Sequence, residues 1–332
     1  MEKQFLLYWV SILALAVVTS ESVPSSGCGK VRPPDFLPGQ TTSLEIPAAN
    51  GQPVRHYNVH LPANFQNDRP HAIVFSFHGH NGDMAKQEDL SQLSEKQMLI
   101  NNVGIIAVYP MGIVGTDGET AWQGAPYAIS GVDDILFVET MISTLEETLC
   151  VDSSRIYATG KSNGGGFVNL LACTPSIAGK IAAFAPVSAA FYTTTFNGNC
   201  PTTCAIPILD FHGTADSVAN YSGGQAHGAQ EVSVDTFRQG WASRNGCQGK
   251  PTISYLSSAI DPQQTVEIQT WDTDCKTGSI VIGYKIIDGQ HAWPRTTLPA
   301  KCNGVLGVSD CSLTVFNATV DVIIPFFNKY TL

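Results

Sequence analysis

Gly160-Lys161-Ser162-Asn163-Gly164 spells a glycine-x-serine-x-glycine turn. It follows a short apolar run, Ile156 to Thr159, and precedes a segment that reads as helix, Phe167 to Ala172. A chain that turns this sharply from strand to helix holds the serine in a strained backbone conformation, at the carboxyl end of a sheet and the positive end of a helix dipole. Ser162 is therefore the candidate nucleophile. Gly160 and Gly164 have no side chains to clash where the turn crosses its neighbours. A serine oxygen is a weak nucleophile at neutral pH and needs a general base within hydrogen-bond reach.

The partners of such a serine follow it in the order acid, then histidine. Of eight histidines, only His212, His227 and His291 come after Ser162. His291 lies in Asp288-Gly289-Gln290-His291-Ala292-Trp293-Pro294, a loop directly after a late strand, and is the candidate base. His212 ends its own strand and would crowd the acid, and His227 reads as a solvated residue of a glycine-rich loop. Asp216, in the turn His212-Gly213-Thr214-Ala215-Asp216 past the strand Ile206 to Phe211, is the candidate acid. Asp210 is its rival but falls inside the strand. A carboxylate at Asp216 would fix the imidazole tautomer and is expected to raise the His291 pKa. Two backbone amides should hold the developing oxyanion. One is that of Asn163. The other comes from the early loop His78-Gly79-His80-Asn81-Gly82, with His80 as the choice and Gly79 as the alternative. Trp122 and Tyr127 are candidate walls of an aromatic acyl pocket, against a plain reading as core rings. Asp133 and Asp134 begin a helix and read as N-terminal charges rather than a paired-carboxylate centre.

These residues need a scaffold of alternating strands and helices. Val54 to Leu61, Ala72 to Phe77, Ile105 to Tyr109, Ile156 to Thr159, Ala182 to Val187, Ile206 to Phe211, Val266 to Trp271 and Ile280 to Ile287 read as strands. Met84 to Leu99, Val132 to Leu149 and Val234 to Arg244 read as helices, as does the closing segment Val320 to Phe327 in spite of Pro325. Apolar strands separated by helices imply a mostly parallel sheet covered on both faces. Nothing marks a domain boundary, so residues 23–332 are expected to form one α/β domain.

Composition bounds the partners. Lys and Arg number 18 against 28 Asp and Glu, a formal charge of −10. So acidic a chain is a poor ligand for phosphate backbones or anionic lipid, which argues against nucleic-acid and membrane partners. Phe5 to Val18 is an apolar run followed by small residues, and residues 1–22 are expected to be a secretory signal peptide. In an oxidising compartment the nine cysteines read as disulfides with one thiol left over. Cys200 and Cys204 suggest a small disulfide loop, and no Cys/His set completes a metal site. No cofactor is expected, and the protein is taken to be a monomer. Asn220 and Asn317 head glycosylation sequons.

One run of motifs is far more specific than the serine turn alone. It comprises Phe75-Ser76-Phe77-His78-Gly79, Ala107-Val108-Tyr109-Pro110, Trp122-Gln123-Gly124-Ala125-Pro126, Gly131-Val132-Asp133-Asp134, Arg155 to Phe167, Ala183 to Ser188, Phe211 to Asp216 and His291-Ala292-Trp293-Pro294. On these residues the chain resembles the secreted feruloyl esterases of carbohydrate esterase family one, close to the fungal type-D enzymes and related to polyhydroxybutyrate depolymerases. The likeness covers almost the whole chain after residue 22. It implies an α/β-hydrolase fold, a triad of Ser162, Asp216 and His291, and hydrolysis of hydroxycinnamate esters on arabinoxylan or pectin. Gln290 and Ala292 beside the histidine, and Val218-Ala219-Asn220-Tyr221 after the acid, depart from the family pattern. Acetylxylan esterase and polyester depolymerase are the alternatives within esterases. A serine peptidase and an inactive binding protein on the same scaffold lie outside them.

Overall fold

The computed structural model describes residues 21–196, 200, 205–257, 265–297 and 312–332. Residues 1–20 of the expected signal segment lie outside them, as do Cys204, Cys302 and Cys311. No described helix is long and apolar enough to cross a membrane.

Ten strands form one sheet: β1 (Thr41–Ile46), β2 (Arg55–His60), β3 (His71–Phe77), β4 (Ile106–Pro110), β5 (Val151–Lys161), β6 (Ala183–Val187), β7 (Ile208–Gly213), β8 (Thr252–Ser257), β9 (Thr265–Trp271) and β10 (Val281–Ile286). Their order is β1-β2-β4-β3-β5-β6-β7-β10-β9-β8. From β4 to β10 every neighbour is parallel, and the outer pairs on both sides are antiparallel. The parallel centre follows from side chains buried on both faces. Along β3, Ile73, Phe75 and Phe77 enter one hydrophobic cluster, while Ala72 and Val74 enter the other. Helices α2 (Asp134–Thr148), α3 (Asn163–Ala172) and α4 (Val234–Arg244) cover the first face. Helix α1 (Met84–Ser91) and the terminal segments Ala318–Ile323 and Ile324–Phe327 cover the second.

Helix α1 ends well before Leu99, because Gln92 adopts a left-handed conformation at φ 57°. Asp133 caps α2 by accepting the Leu136 amide, as its type predicts. Asp134 does more than complement a dipole: it is buried and paired with Arg55 at 2.6 Å. Three disulfides join Cys28 to Cys150, Cys173 to Cys200 and Cys247 to Cys275. Cys200 thus reaches back to the end of α3 rather than closing a small loop with Cys204. Asn220 is exposed. The Asn317 side chain is engaged, its Oδ1 accepting the amides of Thr319 and Val320 and its Nδ2 donating to Gln92 Oε1 at 2.7 Å, so a glycan on that nitrogen would compete with the Gln92 bond.

Candidate active site

Ser162 sits where β5 passes into α3, at φ 55° and ψ −119°, in a region that side chains other than glycine rarely occupy. Its amide donates to Val187 O at 3.0 Å, and its carbonyl accepts from Gly166 and Ala190. The strained residue is therefore held by β6 and by its own helix. The flanking glycines are required by close approach. A Cβ on Gly164 would overlap the carbonyl oxygens of Phe77 and His78, and one on Gly160 would lie 2.8 Å from Gly164 C. The start of α3 rests directly on the end of β3.

The loop after β3 is drawn toward the serine. A Cβ on Gly79 would be 3.2 Å from Ser162 Cβ. His78 fixes this loop. Its Nε2 accepts the Gly112 amide at 2.9 Å, so the proton is on Nδ1, which donates to Gly79 O at 2.7 Å. Burial pushes the His78 pKa down to about 4, keeping the ring neutral. The His80 amide has no hydrogen-bond acceptor among the described residues. Asn163 begins α3, and its side-chain Oδ1 accepts the Trp122 amide at 2.8 Å, which fixes the orientation of that first turn.

The candidate acid and base sit on the loops after neighbouring parallel strands, β7 and β10, aligned with Gly213 opposite Ile286. Their loops are stitched together: Ala215 N donates to Gly289 O at 3.0 Å, and Asp288 N to Thr214 Oγ1 at 2.8 Å. His291 Nδ1 lies 2.8 Å from Asp216 Oδ2. A carboxylate only accepts, so Nδ1 carries the proton and Nε2 is left to act as a base. Burial alone would raise the Asp216 carboxyl. Hydrogen bonds from His212 and His291 outweigh it and hold the group well below the usual carboxylate range. Its other oxygen accepts the amides of Val218 and Ala219, each at 2.9 Å. His291 is lowered rather than raised: burial and then the Lys161 ammonium outweigh the pull of Asp216. That corrects the expectation from Asp216 alone.

The rival acid has other work. Asp210 is buried against Arg238, with contacts of 2.8 Å to Nε and 2.7 Å to Nη2. His212 Nε2 donates to Ala219 O at 2.7 Å and lies 3.3 Å from Asp216 Oδ2, so it braces the acid from behind.

A cleft of about 240 Å³ opens at Ser162 and His291. Tyr127 and His80 wall it, their ring centroids 4.4 Å apart. Trp122 does not. It is fully buried, stacked on Phe167 at 5.2 Å, and donates its indole N–H to His78 O. It supports the loop beneath the cleft, because an indole with its one donor satisfied and both faces packed belongs to the core. His227 is exposed in its glycine-rich turn, as expected. It occupies the tip of a hairpin, Gly224–Ala226 paired with Ala229–Glu231, and lines the cleft together with Glu231 and Tyr192. Sequence reasoning missed Tyr192 and Glu231. The hairpin strands are three residues each, too short for a periodic signal. Among the described residues no cluster of His, Cys, Asp and Glu is arranged to hold a metal.

No family model matches the chain. It is 30% identical over 249 residues to feruloyl esterase D of Neurospora crassa, covering 74% of this chain and 75% of that one. It is 32% identical over 200 residues to feruloyl esterase B of Piromyces equi, covering 58% of this chain but only 36% of that longer protein. Among solved structures it is similar to an acetyl xylan esterase from Aspergillus awamori, with a TM-score of 0.54, 16% identity, and coverage of 75% and 94% of the two chains. That likeness shows the α/β-hydrolase fold.

Proposed function

The chain belongs to the feruloyl esterase family, and from that premise we propose that it is a secreted serine esterase releasing ferulic or related hydroxycinnamic acids from plant cell-wall polysaccharide. The observation that carries this reading is a His–Asp pair and a strained serine at the mouth of a cleft walled by Tyr127, Tyr192, His80 and His227. Aromatic walls suit a cinnamoyl ring through edge and offset contacts. The three disulfides suit an oxidising compartment. The triad side chains all come from one chain, so a monomer suffices.

In the proposed mechanism Ser162 Oγ attacks the ester carbonyl while His291 Nε2 takes its proton. The amides of Asn163 and His80 hold the oxyanion, and Asp216 stabilises the imidazolium. His291 then protonates the departing sugar alcohol, leaving ferulate esterified to Ser162. Water, deprotonated by the same imidazole, releases the acid and restores the serine. Lys161 favours the neutral imidazole, the form that can accept the proton.

The purified protein should hydrolyse 4-nitrophenyl ferulate with a higher kcat/KM than 4-nitrophenyl acetate, and Ser162→Ala should remain folded but lose activity on the order of 10⁴-fold or more. The reverse preference would make it an acetyl esterase with the same triad. Retention of a tenth or more of kcat by Ser162→Ala would remove Ser162 from the mechanism.

A further inference from the structure

Glu231 is the one carboxylate of the cleft that the mechanism does not use. It ends the second strand of the hairpin and pairs across to Tyr192 as an isolated antiparallel bridge. Its side chain is 3% exposed and lines the same cleft as Ser162 and His291. Oε1 is buried without a hydrogen-bond partner among the described residues, and no described cation pairs with the carboxyl. The Tyr192 hydroxyl, beside the Tyr127 phenol, is likewise buried without a hydrogen bond of good geometry. Buried polar atoms are almost always satisfied, so an orphan carboxylate acceptor at one wall of a substrate cleft indicates a partner that arrives with the substrate.

We propose that Glu231, with the Tyr192 hydroxyl, reads a hydroxyl group of the substrate, its carboxylate accepting the hydrogen bond that the hydroxyl donates. This rests on the esterase reading above and extends it to specificity. The hydroxyl has two sources, a phenol on the acyl group or a sugar hydroxyl on the leaving group. Burial raises the Glu231 pKa to about 7, with His212 opposing the shift and Asp216 adding a smaller push. A site built around a substrate hydroxyl rejects the analogue that lacks it, because the buried acceptor is then left unpaired.

The test compares specificity ratios in wild type, Glu231→Gln and Tyr192→Phe, each checked for an unchanged circular dichroism spectrum. The phenol arm sets methyl ferulate against methyl 3-methoxycinnamate, which lacks only the phenolic hydroxyl. The sugar arm sets feruloyl-arabinose against methyl ferulate. Wild type should prefer the hydroxyl-bearing member of one arm on the order of ten- to a hundredfold, the range for a hydrogen bond to a charged group. Glu231→Gln should collapse that ratio toward one, with Tyr192→Phe moving it the same way, and the arm that collapses identifies the source. No preference in either arm of the wild type, or an equal loss on both members of each pair, would overturn the proposal. If wild type splits 4-nitrophenyl acetate but no cinnamate, the feruloyl reading fails by itself. Acetylated xylobiose against ethyl acetate then applies the same ratio test to Glu231.

Discussion

Asp216 and Asp210 lie six residues apart and are both buried, yet their partners give them different fates. Asp216 faces a histidine, and Asp210 is paired through one oxygen with a buried guanidinium. Asp216→Asn should keep the shape of the site while favouring the wrong His291 tautomer, lowering kcat by roughly 10⁴-fold with the melting temperature little changed. Asp210→Asn should do the opposite, leaving Arg238 buried beside a neutral amide and costing about 3 kcal/mol or more in denaturant unfolding. A free imidazole titrates near ~6.5. Because burial and Lys161 depress His291 and the active form is the neutral one, kcat/KM should hold down to below about 6.5 before its acid limb falls. Lys161→Met should move that limb upward. An acid limb above 6.5 in wild type, or one insensitive to Lys161, would contradict this balance of causes. The candidate order serine, acid, base was legible because each residue falls in the turn or loop just past a strand. The depression of His291 was not, since it comes from packing and from a lysine that the sequence shows only as a neighbour of Ser162.

At the scale of elements, the two glycines of the turn are a steric requirement. Gly164→Ala should push α3 off the end of β3 and disturb both expected oxyanion amides together. Its kcat should fall by at least 10²-fold, the loss typical of one oxyanion donor, with a smaller change in KM. Near-normal kcat would show that the contact can relax. The central strands were readable from their apolar runs. The outer strands β1 and β8 were not, because β1 alternates between exposed and half-buried residues and β8 is exposed throughout. The short hairpin escaped for a different reason. Its tip and last residue line the cleft, and a glycine-rich stretch of polar residues gives no clue to that before the fold brings it there.

At the scale of the molecule, the Cys28–Cys150 disulfide closes a separation of 122 residues and ties the segment before β1 to the entry of β5. Cys28→Ser with Cys150→Ser should lower stability by about 2–4 kcal/mol without changing kcat at low temperature, since the bond acts far from the cleft and mainly on the unfolded chain. Equal stability with and without it would mean that the arm's backbone bonds to Val151 and Glu146 suffice.

The contact between the start of α3 and the end of β3 also bears on how the enzyme meets heat. The candidate nucleophile and the expected oxyanion loop are pressed against one another through main chain at Gly164. Such a cradle should come apart with the ends of the central strands that hold it. Warming should therefore take catalysis and cooperative structure away at one temperature, and the surviving hydrolytic rate at any point on the curve becomes a direct gauge of how many molecules are still folded.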